Sequence, residues 1–419
     1  MLKIQAWAPW FLLSIGLLLN ISPAIAAQEI TLSLDSAVKL AVEQNLELKA
    51  KREELGVAEG RLIRANLPIQ FNPELEGDLS NRRLKKPEEG FPKNLTQGGV
   101  ALSQEFEIAG QPTHRREAAG RNLEKVKFEI SDFERSLRFR VTENFLKLLN
   151  LQAKIGQAEH VVDLRTRLRD ASKRRLELGD IPEVQHLLAE FELNRTQSDL
   201  IALRREREEA LLSLRQNLAL EPESRVEILG DLAYLPQTQS AADLVKAALE
   251  RRPDLAALDR EKKVAEAEVN LNRADRIPNV KFGIFWERDD RDNIVGGRVS
   301  IPLPFFDRKQ GEIREAQARK SQANINYLNS RQTIERSVQT AYQKFRLSER
   351  EISLYPAEAR KQFDNSLELY LKAYQERLID LPDLIVFQNQ VVEARQKFID
   401  ALTNYNLALA ELKYQAGIE

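Results

Sequence analysis

The chain has 419 residues and a formal net charge of −1, so it has no overall attraction to the phosphates of nucleic acid. It contains no cysteine, which excludes disulfides, thiolate metal sites and a lipid-modified amino-terminal cysteine. Charged residues make up 30% of the chain, a composition typical of long helices that expose a broad polar face to water.

The amino terminus is predicted to be a signal peptide over residues 1–26. Lys3 precedes an apolar run over 10–19, and Ala24-Ile25-Ala26 places small residues where a signal peptidase cuts. The apolar run is about ten residues long, whereas a membrane-spanning helix needs roughly 18 to 20. We therefore expect an exported chain whose mature part crosses no membrane as a helix.

The first half of the mature chain, 27–230, is predicted to form helices and one hairpin of strands. Residues that alternate between apolar and polar predict the strands, and long stretches rich in Ala, Leu, Glu, Lys and Arg predict the helices. The predicted elements are a short helix over 34–66, strands over 73–79 and 99–107, and long helices over 113–178 and 182–219.

The second half, 231–419, is predicted to contain the same elements in the same order. Pro356 lies inside its first long helix and predicts a kink there. The predicted elements are a short helix over 242–276, strands over 279–287 and 294–303, and long helices over 312–378 and 382–416.

The similarity between the halves predicts an internal two-fold repeat. The sequence LGDIPEV around Pro182 corresponds to LIDLPDL around Pro382, 200 residues later. Upstream, VKLAVEQNLELKA from Val38 corresponds to VKAALERRPDLAA from Val245. A repeat of this length is far longer than a solenoid unit of about 20 to 50 residues, so we expect one duplicated structural unit.

The fold class expected from these elements is mainly α with a β-barrel part. Each half contributes a long α-helical hairpin and two strands of the length that a tilted membrane strand needs. Four strands cannot close a barrel, and an open sheet edge leaves backbone groups unsatisfied in lipid. Two copies would give eight strands around a filled interior, whereas three would give a shared barrel of twelve. We therefore expect a homotrimer in contact with outer-membrane lipid, with a helical barrel beside the strands.

Over nearly all of its mature length the sequence resembles the outer-membrane efflux proteins, the TolC-like outer membrane factors. The matching segments include LSLDSAVKLAVEQNLELKAKREEL, GVALSQEFEIAG, VSIPLPFFDRKQG, and the hairpin tips LELGDIPEVQ and QERLIDLPDL. The resemblance implies a trimeric duct through the outer membrane and the periplasm, working with an inner-membrane pump and a periplasmic adaptor (membrane fusion protein). The QEFEIAGQ stretch is closest to the branch associated with heavy-metal efflux.

The resemblance also implies a gate at the periplasmic tips of the helical hairpins. It places the family's tip tyrosine at Tyr374 and its first acidic position at Asp383, whereas Val386 replaces the second acidic residue. Asp380, Asp180 and Glu183 are close enough in sequence to the tips to supply another carboxylate. The alternative is that the aspartates at 180 and 380 only cap helices, and that the other carboxylates only favour a first helical turn.

A second implied site is the contact with the adaptor. The family carries a Val-Gly-Leu-like tripeptide before each tip; Leu178-Gly179-Asp180 resembles it, whereas Glu376-Arg377-Leu378 lacks the glycine. Leu178, Gly179 and Leu378 are therefore the expected contact residues. The alternative for Gly179 is a helix carboxyl cap.

The alternation of the first-half strands predicts an acidic barrel lumen formed by Glu74, Glu76, Asp78 and Glu105, although any water-filled lumen is polar. The histidines, at 114, 160 and 186, share no ligand spacing, so we expect no metal site and no cofactor. No nucleophile and base stand at a catalytic spacing, so we expect no enzyme.

The function expected from the sequence is a passive channel of a tripartite efflux system in the outer membrane, extending into the periplasm. The alternative is a periplasmic coiled-coil adaptor or spacer without a pore. An apolar strand face such as that from Val280 to Trp286 favours the channel, because a spacer has no use for it. The cargo stays open among metal cations, drugs and polypeptides.

Overall fold

The computed structural model describes residues 30–83, 85, 94–234, 238–289, 292–355 and 358–418. The predicted signal peptide and the predicted kink at Pro356 lie outside these residues. The helices are α1 (Leu34–Gln44), α2 (Leu46–Ala65), α3 (Gln111–Glu177), α4 (Glu183–Asn217), α5 (Ala241–Arg251), α6 (Pro253–Ala274), α7 (Gln310–Ile352), α8 (Ala359–Gln375) and α9 (Leu381–Ala416). The strands are β1 (Ile30–Leu32), β2 (Glu74–Arg83), β3 (Asn94–Phe106), β4 (Val226–Ile228), β5 (Val280–Asp289) and β6 (Asp292–Ser300).

Each short helix that the sequence predicts is two helices joined at one residue. Asn45 ends α1 and begins α2: its Oδ1 accepts a hydrogen bond from the Leu48 amide at 2.9 Å, which is an amino-terminal cap. In the second half the joining residue is Arg252, which is extended because Pro253 follows it. Asn45 also donates to the Asn217 carbonyl at 2.9 Å, which ties α2 to the end of α4.

Two sheets are present among the described residues. β1 and β4 pair in parallel and join the beginning and the end of the first half. The larger sheet is antiparallel with the order β2-β3-β5-β6, so each half contributes one hairpin and β3 pairs with β5 across the halves. Its outer strands, β2 and β6, have no further strand beside them in the described part of the chain.

The register of the larger sheet separates an apolar face from a polar face. Directly paired residues share a face, and residues two apart along a strand share it too. The apolar face carries Leu75, Leu79, Val100, Leu102, Phe282, Ile284, Trp286, Val295 and Val299, all exposed in the protomer or only half-buried. The polar face carries Glu74, Glu76, Asp78, Ser103, Glu105, Lys281 and Arg298. The sheet therefore has a large apolar surface that no described part of the protomer covers.

The long helices form the rest of the molecule. α3 has 67 residues and no proline after Pro112, so its backbone bonds continue without interruption. Three groups of buried side chains lie in the helical part; one of them, around Tyr374, lies at the hairpin tips and joins α3, α4, α8 and α9. The helical part therefore has its own packed interior.

Some predicted boundaries differ from the structure. The helix predicted over 312–378 is two helices: α7 ends at Ile352 and α8 begins at Ala359. Tyr355, the residue before Pro356, is not helical, as is usual for a residue that proline follows. β2 and β3 run further than predicted, because the polar residues after Leu79 continue to pair across the hairpin. β6 ends at Ser300 rather than 303, since Pro302 and Pro304 have no amide to donate.

Candidate functional site

The tips of the helical hairpins are two short turns with the same backbone shape. In the α3–α4 turn Gly179 is left-handed with φ of 74°, and the Asp180 amide donates to the Arg175 carbonyl at 2.8 Å. In the α8–α9 turn Arg377 is left-handed with φ of 63°, and the Leu378 amide donates to the Ala373 carbonyl at 2.9 Å. These bonds satisfy the last carbonyl groups of each helix. A non-glycine residue in this conformation costs roughly 1–2 kcal/mol, so the second turn is the strained one.

An ion pair joins the two turns. The Arg377 guanidinium donates to the Asp180 carboxylate, and both side chains remain accessible to water. An exposed pair of this kind contributes less than about 1 kcal/mol, so it links the tips without holding them strongly. The alternative role of Asp180 as a helix cap is wrong for this protomer, since α4 begins after Pro182 and has no side-chain cap.

Tyr374, the predicted gate tyrosine, is fully buried among Leu168, Leu371 and Leu384 in the tip core. Its hydroxyl has no hydrogen-bond partner in the described part of the chain, and the Arg175 guanidinium carbon lies 5.0 Å from the centre of its ring. Burial raises the pKa of Tyr374, and the neighbouring Arg175 opposes that rise. Within the protomer this side chain therefore acts by packing and lines no open surface.

The other predicted tip carboxylates lie on exposed surface. Glu183 is in the first turn of α4 and Asp383 in the first turn of α9. Asp380 occupies the amino-terminal cap position of α9, but its side chain makes no capping hydrogen bond. Val386, which replaces the family's second acidic residue, is exposed one turn after Asp383. The structure thus leaves these carboxylates available to a pore or a partner.

The predicted adaptor-contact residues lie beside the left-handed residues of the turns. Leu178 precedes Gly179, and Leu378 follows Arg377; both leucines are largely exposed. Both side chains are therefore accessible to another protein over most of their surface. The two leucines are not at equivalent positions, because Leu378 takes the place of Asp180 in the first turn and Leu178 that of Glu376 in the second.

A buried arginine just above the tips was not predicted from the sequence. Arg165 of α3 is 1% exposed and donates to Gln388 at 2.9 Å and to Asn389 at 2.7 Å on α9. Glu192 of α4 lies 3.8 Å away, and burial lowers the pKa of Arg165. One side chain therefore joins three helices. In the sequence, the burial of Arg165 is indicated by its position in the apolar stripe that contains Leu164 and Leu168.

The predicted lumen residues lie together on the polar face of the large sheet. Glu74 forms an ion pair with Lys281, and Glu105 accepts a hydrogen bond from Asn279 at 2.7 Å. Acidic side chains outnumber basic ones on this face. It carries Glu74, Glu76, Asp78, Glu105, Glu287, Asp289 and Asp292 against Arg82, Lys281 and Arg298. A surface of this charge attracts cations.

The described ranges hold neither a cluster of metal-ligand side chains nor a helix fit to cross a membrane. Within these ranges, no three histidine, aspartate or glutamate side chains come together as metal ligands would. No helix in the same ranges has the length and apolar composition needed to cross a membrane.

Known proteins resemble this chain over most of its length. The family described as "Outer membrane efflux protein" matches residues 37–220 and 244–417. The cobalt-zinc-cadmium resistance protein CzcC of Cupriavidus metallidurans is 28% identical over 326 residues, which cover 76% of this chain and 73% of that protein. A membrane protein from Pseudomonas aeruginosa superposes with a TM-score of 0.76 at 18% identity, over 94% of this chain and 92% of its own. The outer-membrane channel OprN gives 0.75 at 17% identity, over 92% and 90%.

These matches confirm the resemblance inferred from the sequence, and the solved structures share the fold, mainly helical with a smaller part in strands. The chain belongs to the outer membrane efflux protein family, whose members are efflux channels and not enzymes.

Proposed function

We propose that this protein is the outer-membrane channel of a tripartite efflux system, a passive trimeric conduit that crosses the outer membrane and the periplasm. The observation that carries the proposal is the large sheet, with one apolar face, one acidic face and two edges that pair with no further strand of the described residues. Lipid would cover the apolar face, water the acidic face, and neighbouring copies the edges. A spacer without a pore explains none of these three surfaces.

Three copies are the number that suits the sheet. Each protomer has four strands in this sheet, so three copies close a barrel of twelve. Two copies would close eight strands, whose interior side chains fill. An internal two-fold repeat would suit the same arrangement, because each half has two short helices, a hairpin of strands and a long helical hairpin, so three copies would give six similar units around the axis.

The gate lies at the helical tips and is opened by the adaptor. Leu178, Gly179 and Leu378 would contact the adaptor, and the inner-membrane pump would supply the energy. Asp180 and Arg377 join the two turns of one protomer by a weak exposed pair, which suits a closure that a partner must release. Copies of Asp383 around a three-fold axis would attract cations and repel anions at the narrow end.

Metal cations are the cargo class best supported. The relative in Cupriavidus metallidurans is a cobalt-zinc-cadmium resistance protein. The acidic face of the sheet would favour cations over anions in the lumen. A deletion strain should lose resistance to divalent cobalt, zinc or cadmium while keeping its resistance to uncharged drugs; loss of drug resistance alone would contradict this cargo.

Conductance across a planar lipid bilayer tests the conduit itself. The purified protein should give cation-biased currents, and Asp180→Asn should raise the fraction of open channels by loosening the tip. Arg167→Ala, which breaks an exposed pair with Glu368 away from the turns, is the matched control and should leave that fraction unchanged. A protein that inserts into the bilayer and conducts in neither form would overturn the proposal.

A further inference from the structure

The charged side chains of the large sheet are divided unequally between its two faces. The polar face carries both carboxylates and cations. On the described strands, the apolar face carries two charged residues, Arg83 of β2 and Arg288 of β5. Both are cations, and both lie close to the ends of their strands that lead into the hairpin loops. The apolar face is therefore positively charged at the end of the sheet opposite to the helices.

The apolar face changes character in the same order along its strands. On β5, Phe282 and Ile284 come first, then Trp286, and then Arg288. Tryptophan is enriched where hydrocarbon meets lipid headgroups, because its ring is apolar and its nitrogen donates a hydrogen bond. Near the loops the same face is polar on the other three strands, where it carries Asn81, Arg83, Asn94, Thr96 and Asn293. Trp286 thus lies where the apolar band of β5 ends.

The two arginines of the apolar face are exposed and have no acidic partner among the described residues. Cations and carboxylates of the polar face do find partners there. Lys281 pairs with Glu74, and Asp289, the residue after Arg288, accepts a hydrogen bond from Gln97. Both guanidinium groups of the apolar face are therefore available to an anion from outside the protomer.

The proposed conduit places these two arginines at lipid headgroups, because the apolar band beside them would meet hydrocarbon. An arginine on the lipid face of a membrane barrel is costly at the middle of the bilayer and nearly neutral at its interface. The planar guanidinium group binds phosphate through two parallel hydrogen bonds. Since the helices would lie on the periplasmic side, the loops and both arginines would face the outer leaflet.

We propose that Arg83 and Arg288 bind the phosphate groups of an outer-leaflet lipid, the phosphorylated disaccharide headgroup of lipid A, while the apolar band contacts its acyl chains. The inference rests on the proposed conduit, since it needs the apolar face to meet lipid. Arg288 lies beside Gly98 of β3. Arg83 lies beside Asn94 of the same strand, so the two arginines are separated by roughly 13 Å along the strands. This separation suits a headgroup that carries more than one phosphate.

Lipid binding by the intact protein tests the site. The protein, stripped of bound lipid in detergent, is titrated with lipid A that carries both phosphates, with the same lipid after removal of the phosphates, and with phosphatidylglycerol. Native mass spectrometry counts the lipids that each assembly retains. The native protein should bind phosphorylated lipid A about tenfold or more tightly than either other lipid, because only that lipid offers phosphates to both arginines.

Substitution of the two arginines should remove this preference. Arg83→Gln and Arg288→Gln should each weaken the binding of phosphorylated lipid A about tenfold, since each loses a hydrogen bond to a charged group. The binding of phosphate-free lipid A should stay the same. The matched control carries Arg82→Gln and Arg298→Gln, which remove two cations from the opposite face of the sheet, and should keep the preference of the native protein.

The outcomes separate the lipid site from the conduit, because the same spectra give the number of copies. Trimers that bind the three lipids equally overturn the site and leave the conduit standing. So do trimers of the Arg83 and Arg288 variants that keep the preference for phosphorylated lipid A. A control variant that loses the preference as fully as the test variants overturns the site as well. A protein that forms no trimer overturns both.

Discussion

The hairpin tips and the large sheet differ in how far their apolar side chains are buried within one protomer. At the tips Tyr374, Leu371 and Leu384 are fully or almost fully buried by helices of the same protomer. In the sheet Ile284 and Val295 are largely exposed, and no layer formed by the described residues covers them. The tips therefore carry their own core, whereas in the proposed conduit lipid and neighbouring copies would complete the burial of the sheet.

The largest expected effect is at the core of the tips. Tyr374→Ala should lower the free energy of unfolding by about 3–5 kcal/mol, because it leaves a cavity where a fully buried ring was. Thermal unfolding followed by circular dichroism measures this. Tyr374→Phe is the control and should change little, since the hydroxyl it removes has no hydrogen-bond partner among the described residues. A larger loss for Phe than for Ala would contradict the packing role.

The second largest loss of stability is expected at the buried Arg165. Arg165→Ala should lower the free energy of unfolding by about 3 kcal/mol, because it leaves Gln388, Asn389 and Glu192 without the arginine that they share. The control Arg167→Ala, two residues away, breaks the exposed pairs with Glu368 and Asp163 and should lower the free energy of unfolding by no more than about 1 kcal/mol. Hydrogen exchange of α9 amides measures both. Equal exchange in the two variants would show that Arg165 does not join the helices.

The apolar face of the sheet should respond to charge only in a bilayer. Ile284→Arg should lower the free energy of unfolding from lipid vesicles by about 2–4 kcal/mol, because the charge would face hydrocarbon. Glu76→Arg, on the opposite face, should cost far less since that face would meet water. Denaturant-driven release from vesicles measures the difference. An equal cost at both positions would contradict the assignment of the faces.

The smallest expected effect on stability is at the turns. Arg377→Gly relieves a left-handed residue, which favours the variant by about 1 kcal/mol, and removes the exposed pair with Asp180, which offsets part of that gain. The free energy of unfolding, measured by thermal denaturation, should therefore rise in the variant by a few tenths to about 1 kcal/mol. The turn at Gly179 is the reference, where Gly179→Ala should destabilise because its φ of 74° disfavours a side chain. A stabilising Gly179→Ala would contradict the backbone assignment.

Much of the fold could be predicted from local patterns. Alternation predicted the hairpins, and long runs of helix formers predicted α3, α4 and α9. A single helix was predicted over 312–378, whereas α7 ends at Ile352 and α8 begins at Ala359; the predicted kink at Pro356 lies outside the described residues. The length of β2 and β3 was missed, because polar residues such as Ser80 and Asn81 pair by backbone bonds that carry no apolar signal.

The candidate site was harder to predict from the sequence than the fold, because the surroundings of its residues depend on tertiary structure. The exposed leucines at 178 and 378 are where the resemblance placed them, but no pattern in the sequence distinguishes the buried Tyr374 from one that lines a pore. Arg165 was missed since a charged residue in a helical stripe is usually at the surface. The pore and adaptor roles of the tip residues stay predictions, because they depend on copies and partners beyond one protomer.

The most direct measurement is the structure of the assembly in lipid nanodiscs by electron cryomicroscopy. The account predicts three copies, with β2 of each paired to β6 of the next in a closed twelve-stranded barrel whose Ile284 face meets lipid. A sheet whose β2 and β6 edges stand unpaired in water, or a single protomer that closes a barrel alone, would contradict it.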